Sequence, residues 1–315
     1  MVTNRVTVES HARLHFGLLD LRGSLGRRFG GVGACAPGIT VRVSASGADA
    51  VVASGPNAER AAEFARRFLD FHAIAGGAEI VVERAIPSHS GLGSGTQLGL
   101  CVARALADLY DIRATAPELA RAVGRARRSG VGTWTFAGGG LVIEGGRREN
   151  DEGVAPLLAR LTLPESWRCV VAIPNAHQVV SGAAENAAFA TLPVPAEREV
   201  ERVSHLVLMA MLPAVVAGDI LAFGHALSEL QRINGGWFAS AQGGTFAPGP
   251  TTDLIQRMQE WGAAGVGQSS WGPAAYGVVE GDAVAHDLAA RVRDALAGAG
   301  SVCVGPFPTV GAVVS

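Results

Sequence analysis

Apolar and polar residues alternate at Val6 and Val8, and again at Leu14, Phe16 and Leu18, which predicts early strands. Ile39, Val41 and Val43 repeat the pattern, and Ile80–Arg84 is a short β-rich run ending before Pro87. The period then changes. Leu98, Cys101, Val102, Ala105, Leu106 and Leu109 fall on one face of a helix running from about Thr96 to Tyr110. Asn57 is placed to cap an earlier helix through about residue 72, and Thr115 with Glu118 has capping-box spacing for one reaching about Arg128. An apolar run, Leu141 to Ile143, follows a glycine triplet.

The polar, glycine-rich stretch 145–153 is the predicted boundary, giving domains of 1–150 and 151–315. Beyond it come a strand at Cys169–Ile173, long helical patterns near 197–217 and 219–233, and a helix near 252–261. A strand near 274–279, a helix near 282–297 and closing strands near 301–304 and 309–314 complete the chain. Strands and helices mix without a regular βαβ beat, so the predicted class is α+β.

Composition narrows the function. With 315 residues, 48% of them hydrophobic and 17% charged, the chain suits a folded enzyme rather than a disordered segment. A net charge of −2 gives no electrostatic case for nucleic acid. Lys is absent, so Schiff-base chemistry and a P-loop lysine are excluded. Anions fall to Arg, backbone N–H groups, hydroxyls or a metal. Cys35, Cys101, Cys169 and Cys303 form no CxxC pair, which argues against zinc and disulfides and fits a reducing compartment. The N-terminus carries no apolar run, and Leu206–Ala217 is too short to span a bilayer. The expectation is a cytoplasmic protein, with no membrane contact and with Leu206–Ala217 as a core helix.

The segment Pro87-Ser-His-Ser-Gly91-Leu-Gly93-Ser94-Gly95-Thr96 opens directly into a helix. Glycines let the backbone approach a ligand, and free N–H groups at a helix start favour an anion. Ser90, Ser94 and Thr96 add hydroxyls. By itself the loop is equally compatible with a strand-to-helix turn that holds nothing.

These residues resemble the phosphate loop of the GHMP superfamily, the galactokinase, homoserine kinase, mevalonate kinase and phosphomevalonate kinase group. Ser10–Asp20 and Gly265–Pro273 resemble that superfamily's first and last motifs in order and spacing. The resemblance implies a two-domain fold, with an N-terminal domain like ribosomal protein S5 domain 2 and a ferredoxin-like C-terminal domain. Kinases of the group that use a catalytic Asp carry it in a glycine-rich stretch. The corresponding stretch here, Arg128-Ser129-Gly130-Val131-Gly132-Thr133-Trp134, has no carboxylate.

One branch shares that departure. The β-ribofuranosylaminobenzene 5′-phosphate synthases of methanopterin biosynthesis are similar to this chain over Arg13–Leu21, Gly26–Gly33, Arg127–Thr133, Gly267–Pro273 and Phe238…Gln242-Gly243-Gly244. The resemblance implies that phosphoribosyl pyrophosphate condenses with 4-aminobenzoate or 4-hydroxybenzoate, releasing pyrophosphate and carbon dioxide. It also implies Mg2+ and a homodimer.

The residue types suit that chemistry. A departing diphosphate wants a cradle, placed at Ser90, Gly91, Gly93, Ser94, Gly95 and Thr96. Arg27 and Arg28 are candidates for a phosphate or the benzoate carboxylate, with a solvated surface pair as the alternative. The resemblance adds Arg13, Arg128, Ser129, Gln268, Ser269, Ser270 and Trp271 as substrate-binding residues. Trp271, Trp134 and Phe238 are candidates for a wall against the ring. His15 and His89 are candidate bases near the acceptor's amino or hydroxyl group, and Asp20 is an orienting or metal-binding carboxylate. His11 and His15, four apart on a strand, point to one face; a structural hydrogen-bonded role is open for both. Glu185 is a weak metal candidate, with a helix N-terminal acid as the alternative. Asn234-Gly235-Gly236 reads as a turn closing a helix. An ATP-dependent small-molecule kinase and a non-catalytic ligand sensor are the rival functions.

Overall fold

The computed structural model of the protein describes residues 5–175 and 183–315. β1 (Val6–Asp20) and β2 (Phe29–Ala48) form a long antiparallel pair, so the separate early runs belong to two strands. Alternation buries one face of β1 up to Leu14, and residues 14–18 are then buried throughout. The register slips between His11 and Arg13 and again between His15 and Gly17, where the second half of the molecule packs on.

β3 (Val52–Ser54), α1 (Ala58–Phe71) and β4 (Gly77–Arg84) make a parallel crossover that adds β4 to β2. Asn57 starts α1 at φ 60° but does not cap it; its side chain accepts from Ser88 Oγ at 3.2 Å. α2 (Ser94–Leu109) buries Leu98, Cys101, Val102, Ala105 and Leu106, the face that the spacing predicts. The capping box forms at α3 (Ala116–Ala122), where Thr115 N donates to Glu118 at 2.7 Å. α3 stops six residues early because Gly124, at φ 67°, turns the chain back toward α2. α4 (Val131–Gly138), β5 (Leu141–Glu144) and β6 (Leu157–Leu161) follow, and β6 pairs with β5.

The second half runs through β7 (Trp167–Pro174), α5 (Ala183–Thr191), α6 (Glu197–Leu206), a π-helical turn at Val207–Met211 and α7 (Leu212–Ala217). Then come α8 (Ile220–Gln242), α9 (Pro250–Glu260), β8 (Gly265–Gln268), β9 (Ala275–Glu280), α10 (Asp282–Leu296), β10 (Gly300–Pro306) and β11 (Val313–Val314). Leu206–Ala217 is only half a core helix. Val207, Met211, Ala214 and Val215 are buried, whereas Leu208, Met209 and Val216 are more than 60% exposed. The π turn stands just before Pro213, whose missing N–H breaks the regular ladder. Residues 197–217 are long and apolar enough to cross a membrane, with a mean hydropathy of 1.6, yet Val203 and Leu206 also pack into the protein core.

The first sheet has the order β11-β1-β2-β4-β3, with β5 on β2 and β6 on β5; the second is β10-β7-β9-β8 and wholly antiparallel. Numbered within its own half the second sheet is 4-1-3-2, the ferredoxin-like arrangement expected. The sheets do not part at residue 150, because β6 and β11 both complete the first one. One hydrophobic core joins the halves: Phe16 of β1 lies 5.2 Å from the Tyr276 ring and 6.5 Å from Phe223.

Candidate functional site

A cavity of about 890 Å³ lies where the two sheets' loops and helices meet. Its floor is fixed by polar contacts between the halves. His15 N donates to Ser269 Oγ at 3.0 Å, and that hydroxyl donates to Gly91 O at 2.8 Å. Asn234 pairs with both backbone groups of Leu18, accepting at 2.6 Å and donating at 3.1 Å. It therefore sits within α8 as a brace for β1, not in a closing turn. Gln231 donates to Phe16 O and accepts from Gln268 N. These bonds hold the two irregular strand segments at one fixed separation.

One end of the cavity gathers arginines around the start of α2. His89 at φ 56°, Gly91 at 75° and Gly93 at 75° place every second residue of the loop in the left-handed region ahead of α2, the kind of alternation that makes a backbone nest. A Cβ at Gly91 would stand 2.1 Å from Ser269 O, which is why the loop needs glycine there. Arg60 and Arg67 from α1 line this end, as do Arg125 and Arg127 from the turn after α3. Arg125 Nη2 donates to Thr96 Oγ1 at 3.3 Å. Arg60 lies so close over the helix start that a Cβ at Gly95 would be 2.2 Å from its Nη2. Arg13 donates to Gly91 O.

The other end is aromatic. Phe189 stands edge-on to Phe29 (6.0 Å), Phe238 (5.6 Å) and Trp271 (5.6 Å), and Phe238 to Trp271 at 4.9 Å. The Arg128 guanidinium lies 4.6 Å from the Phe189 ring centre. A flat apolar ring bearing one negative charge matches this end in shape and charge.

Of the residues expected from sequence, His15, His89, Arg13, Gly91, Gly93, Ser94, Gly95, Thr96, Arg128, Ser129, Gln268, Ser270 and Trp271 line the cavity, with Phe238. The other described candidates do not line it. Ser90 is buried and donates to Pro87 O at 2.7 Å, and Ser269 is the buried clamp just described. Asp20 closes a turn by accepting from Arg22 N and Gly23 N. Arg27 donates to Gly146 O at 2.9 Å, and Arg28 donates to Leu21 O while its guanidinium covers Phe29. Trp134 Nε1 donates to Ala155 O at 2.8 Å, away from the cavity. Gln268 reaches the cavity with its amide already bonded to Ala247 N, Gln242 and Ser270 O. His11 does not reach the cavity. The side chain of Glu185, like residues 176–182 with His177, lies outside the described residues.

Sequence reasoning missed Phe29, Arg60, Arg67, Arg125, Phe189 and Glu144. Glu144 is fully buried, 0% exposed, and accepts N–H groups from Gly130 at 3.1 Å and Gly146 at 2.8 Å. Burial pushes its carboxyl up from the ordinary range, with those bonds, Ser129 and Arg147 opposing. His15 is pushed down to about 3, first by burial and then by the Arg13 guanidinium. It is a neutral imidazole at any physiological pH.

Among the described residues, those lining the cavity do not fit a magnesium ion. No Asp or Glu lines the cavity, and no three His, Cys, Asp or Glu cluster as ligands, among the described residues. Arginine and backbone N–H groups cannot ligate a cation.

The GHMP kinases N-terminal domain family matches residues 57–138 and the GHMP kinases C-terminal family matches residues 211–298. The architecture agrees. A homoserine kinase from Cytophaga hutchinsonii is similar over 100% of this chain and 98% of its own, with a TM-score of 0.75 at 16% identity. A Lactococcus lactis galactokinase gives 0.71 at 14% identity, over 98% of this chain and 95% of its own. The two family matches and the fold thus define a GHMP superfamily protein.

Sequence relatives are nearer. A beta-ribofuranosylphenol 5'-phosphate synthase from Methanothermobacter thermautotrophicus is 37% identical, over 87% of this chain and 88% of its own. Its counterpart from Archaeoglobus fulgidus is 34% identical, over 93% of each. The chain belongs to the family of beta-ribofuranosylphenol 5'-phosphate synthases.

Proposed function

We propose that this enzyme condenses phosphoribosyl pyrophosphate with a para-substituted benzoate, releasing pyrophosphate and carbon dioxide, in tetrahydromethanopterin biosynthesis. The observation that carries the reading is the division of one cavity into an arginine-rich helix start and a box of four aromatic rings. The phenol in the relatives' name favours 4-hydroxybenzoate over 4-aminobenzoate as acceptor.

The chemistry follows from that division. The diphosphate leaves the sugar from the start of α2, where N–H groups, Thr96 and the arginines take up its growing charge. The sugar carbon left behind is cation-like. The aromatic box holds the acceptor ring beside it and excludes water. Arg128 holds the carboxylate. The ring carbon that bears the carboxylate attacks, pushed by the hydroxyl or amino group opposite, and loss of carbon dioxide restores aromaticity. Magnesium enters this reading only as the counter-ion of the diphosphate substrate. A homodimer and a cytoplasmic location belong to the same reading, and sedimentation and fractionation test them.

The protein is mixed with phosphoribosyl pyrophosphate, magnesium and carboxyl-labelled 4-hydroxybenzoate or 4-aminobenzoate. The expected result is labelled carbon dioxide in step with pyrophosphate. No carbon dioxide from either acid, with ATP consumed on an alcohol instead, would replace this reading with the kinase.

A further inference from the structure

The arginines of α1 stand over two separate stretches of backbone. Arg60 and Arg67 are seven residues apart, so they share a face of α1 and lie roughly 10 Å apart along it. Arg60 covers the start of α2. Arg67 stands against the turn after α3: a Cβ at Gly124 would be 3.0 Å from its Nη1. Its Nη2 pairs with Glu63 one turn back along α1, a half-exposed contact of the kind that holds a side chain only weakly. The turn repeats the geometry of the loop before α2. Gly124 at φ 67° and Ala126 at φ 59° again place every second residue in the left-handed region. An alanine is strained there, so its surroundings must hold it. Gly124 N and Arg125 N close α3, donating to Arg121 O at 3.0 Å and Ala120 O at 2.7 Å. The next two N–H groups, of Ala126 and Arg127, donate to no group among the described residues, and both residues line the cavity. Arg125 ties the two stretches together, with its backbone in the turn and its Nη2 on Thr96 Oγ1 at 3.3 Å.

We propose that Arg67 and the turn at residues 124–127 form a second anion subsite, which takes the 5′-phosphate of the donor and makes the enzyme select a phosphorylated ribose. The inference rests on the reading above, in which the donor is phosphoribosyl pyrophosphate. That molecule carries an anionic group at each end of its ribose, one that leaves and one that stays. The leaving diphosphate takes the start of α2, where the helix dipole adds to the N–H groups as negative charge grows. The 5′-phosphate gains no charge in the reaction and needs no helix dipole. A fixed guanidinium and two N–H groups suffice to hold it and to aim C1 at the acceptor ring. Arg125, standing between the subsites, lets both ends of one ribose be gripped at once.

Two probes read the subsites separately by titration calorimetry with magnesium present. Ribose 5-phosphate reports on the turn, and inorganic pyrophosphate reports on the start of α2. Arg67→Gln raises the Kd of ribose 5-phosphate about tenfold, the low end for losing a bond to a charged group, and holds that of pyrophosphate within about twofold. Arg60→Gln does the reverse. Arg67 is half exposed, so the melting temperature of its variant stays at the wild-type value. In steady state, Arg67→Gln also lowers about tenfold the preference for phosphoribosyl pyrophosphate over ribose 1-diphosphate, which lacks the 5′-phosphate. Equal losses for the two probes in Arg67→Gln would overturn the proposal. So would a loss confined to pyrophosphate, no change for either probe, or a wild type that binds no ribose 5-phosphate. Binding needs no turnover, so the two readings fail separately. A wild type that forms no carbon dioxide yet binds ribose 5-phosphate through Arg67 sinks the parent reading. An active wild type whose Arg67→Gln variant binds ribose 5-phosphate unchanged sinks the subsite alone.

Discussion

The two ends of the cavity are made in opposite ways. The anion end of the proposed site starts from one contiguous loop, residues 89–96, with glycine at 91, 93 and 95. The aromatic end has no local origin. Phe29 comes from β2, Phe189 from α5, Phe238 from α8 and Trp271 from the loop after β8, and only the tertiary fold gives them a common face. Backbone sites are sensitive to any added atom, whereas a box of side chains tolerates conservative exchange.

That contrast orders the expected effects. Gly91→Ala is the largest. Its Cβ meets Ser269 O at 2.1 Å, so the loop must move. A shift of about 1 Å at a catalytic group costs about a hundredfold in kcat/KM, and thermal melting falls with it. Arg60→Gln comes next. Losing a charge-assisted bond of about 1.5–3 kcal/mol raises the KM for phosphoribosyl pyrophosphate roughly ten- to a hundredfold and leaves that of the benzoate unchanged. Phe189→Leu reverses the selectivity. Edge-on ring contacts of about 0.5–1.5 kcal/mol imply a rise of roughly two- to tenfold in benzoate KM alone. Trp134→Phe is the smallest: it loses one bond to Ala155 O and leaves both KM values within about twofold, with at most about 1 kcal/mol of stability. Were Arg60→Gln and Phe189→Leu to change the same KM, the division would be wrong.

The site also has a signature in pH. Folding lowers His15 from 6.5 to about 3, so the unfolded chain binds the proton more tightly. Its contribution to stability is full above 6.5 and is lost progressively as pH falls toward 3. Denaturant unfolding followed from pH 8 to 4 shows the decline, and His15→Asn flattens it by up to one proton's worth of slope.

Legibility in the sequence follows the same divide. The glycine loop, α2 and the capping box at Thr115 were readable because each depends on near neighbours. Arg60 and Arg125 were not: in a chain whose side-chain cations are arginines, no local pattern separates a phosphate ligand from a solvated surface group. Trp271 and Phe238 were reached through a resemblance, whereas Trp134, named beside them as a wall for the ring, bonds Ala155 O away from the cavity. Phe189 lies in a helix of mostly small residues and gave no signal. Glu144 was hidden beside a polar, glycine-rich stretch taken for a domain boundary. Its burial depends on β6 returning to the first sheet, a long-range pairing that periodicity does not report.

The most direct test is a crystal of the protein soaked with phosphoribosyl pyrophosphate and benzoate, an acceptor without the electron-donating group. The account predicts the diphosphate against the N–H groups at residues 93–95 with Arg60 and Arg125 over it, and the benzoate ring among Phe189, Phe238 and Trp271. A diphosphate lying among the aromatic rings, or outside the cavity, would contradict it.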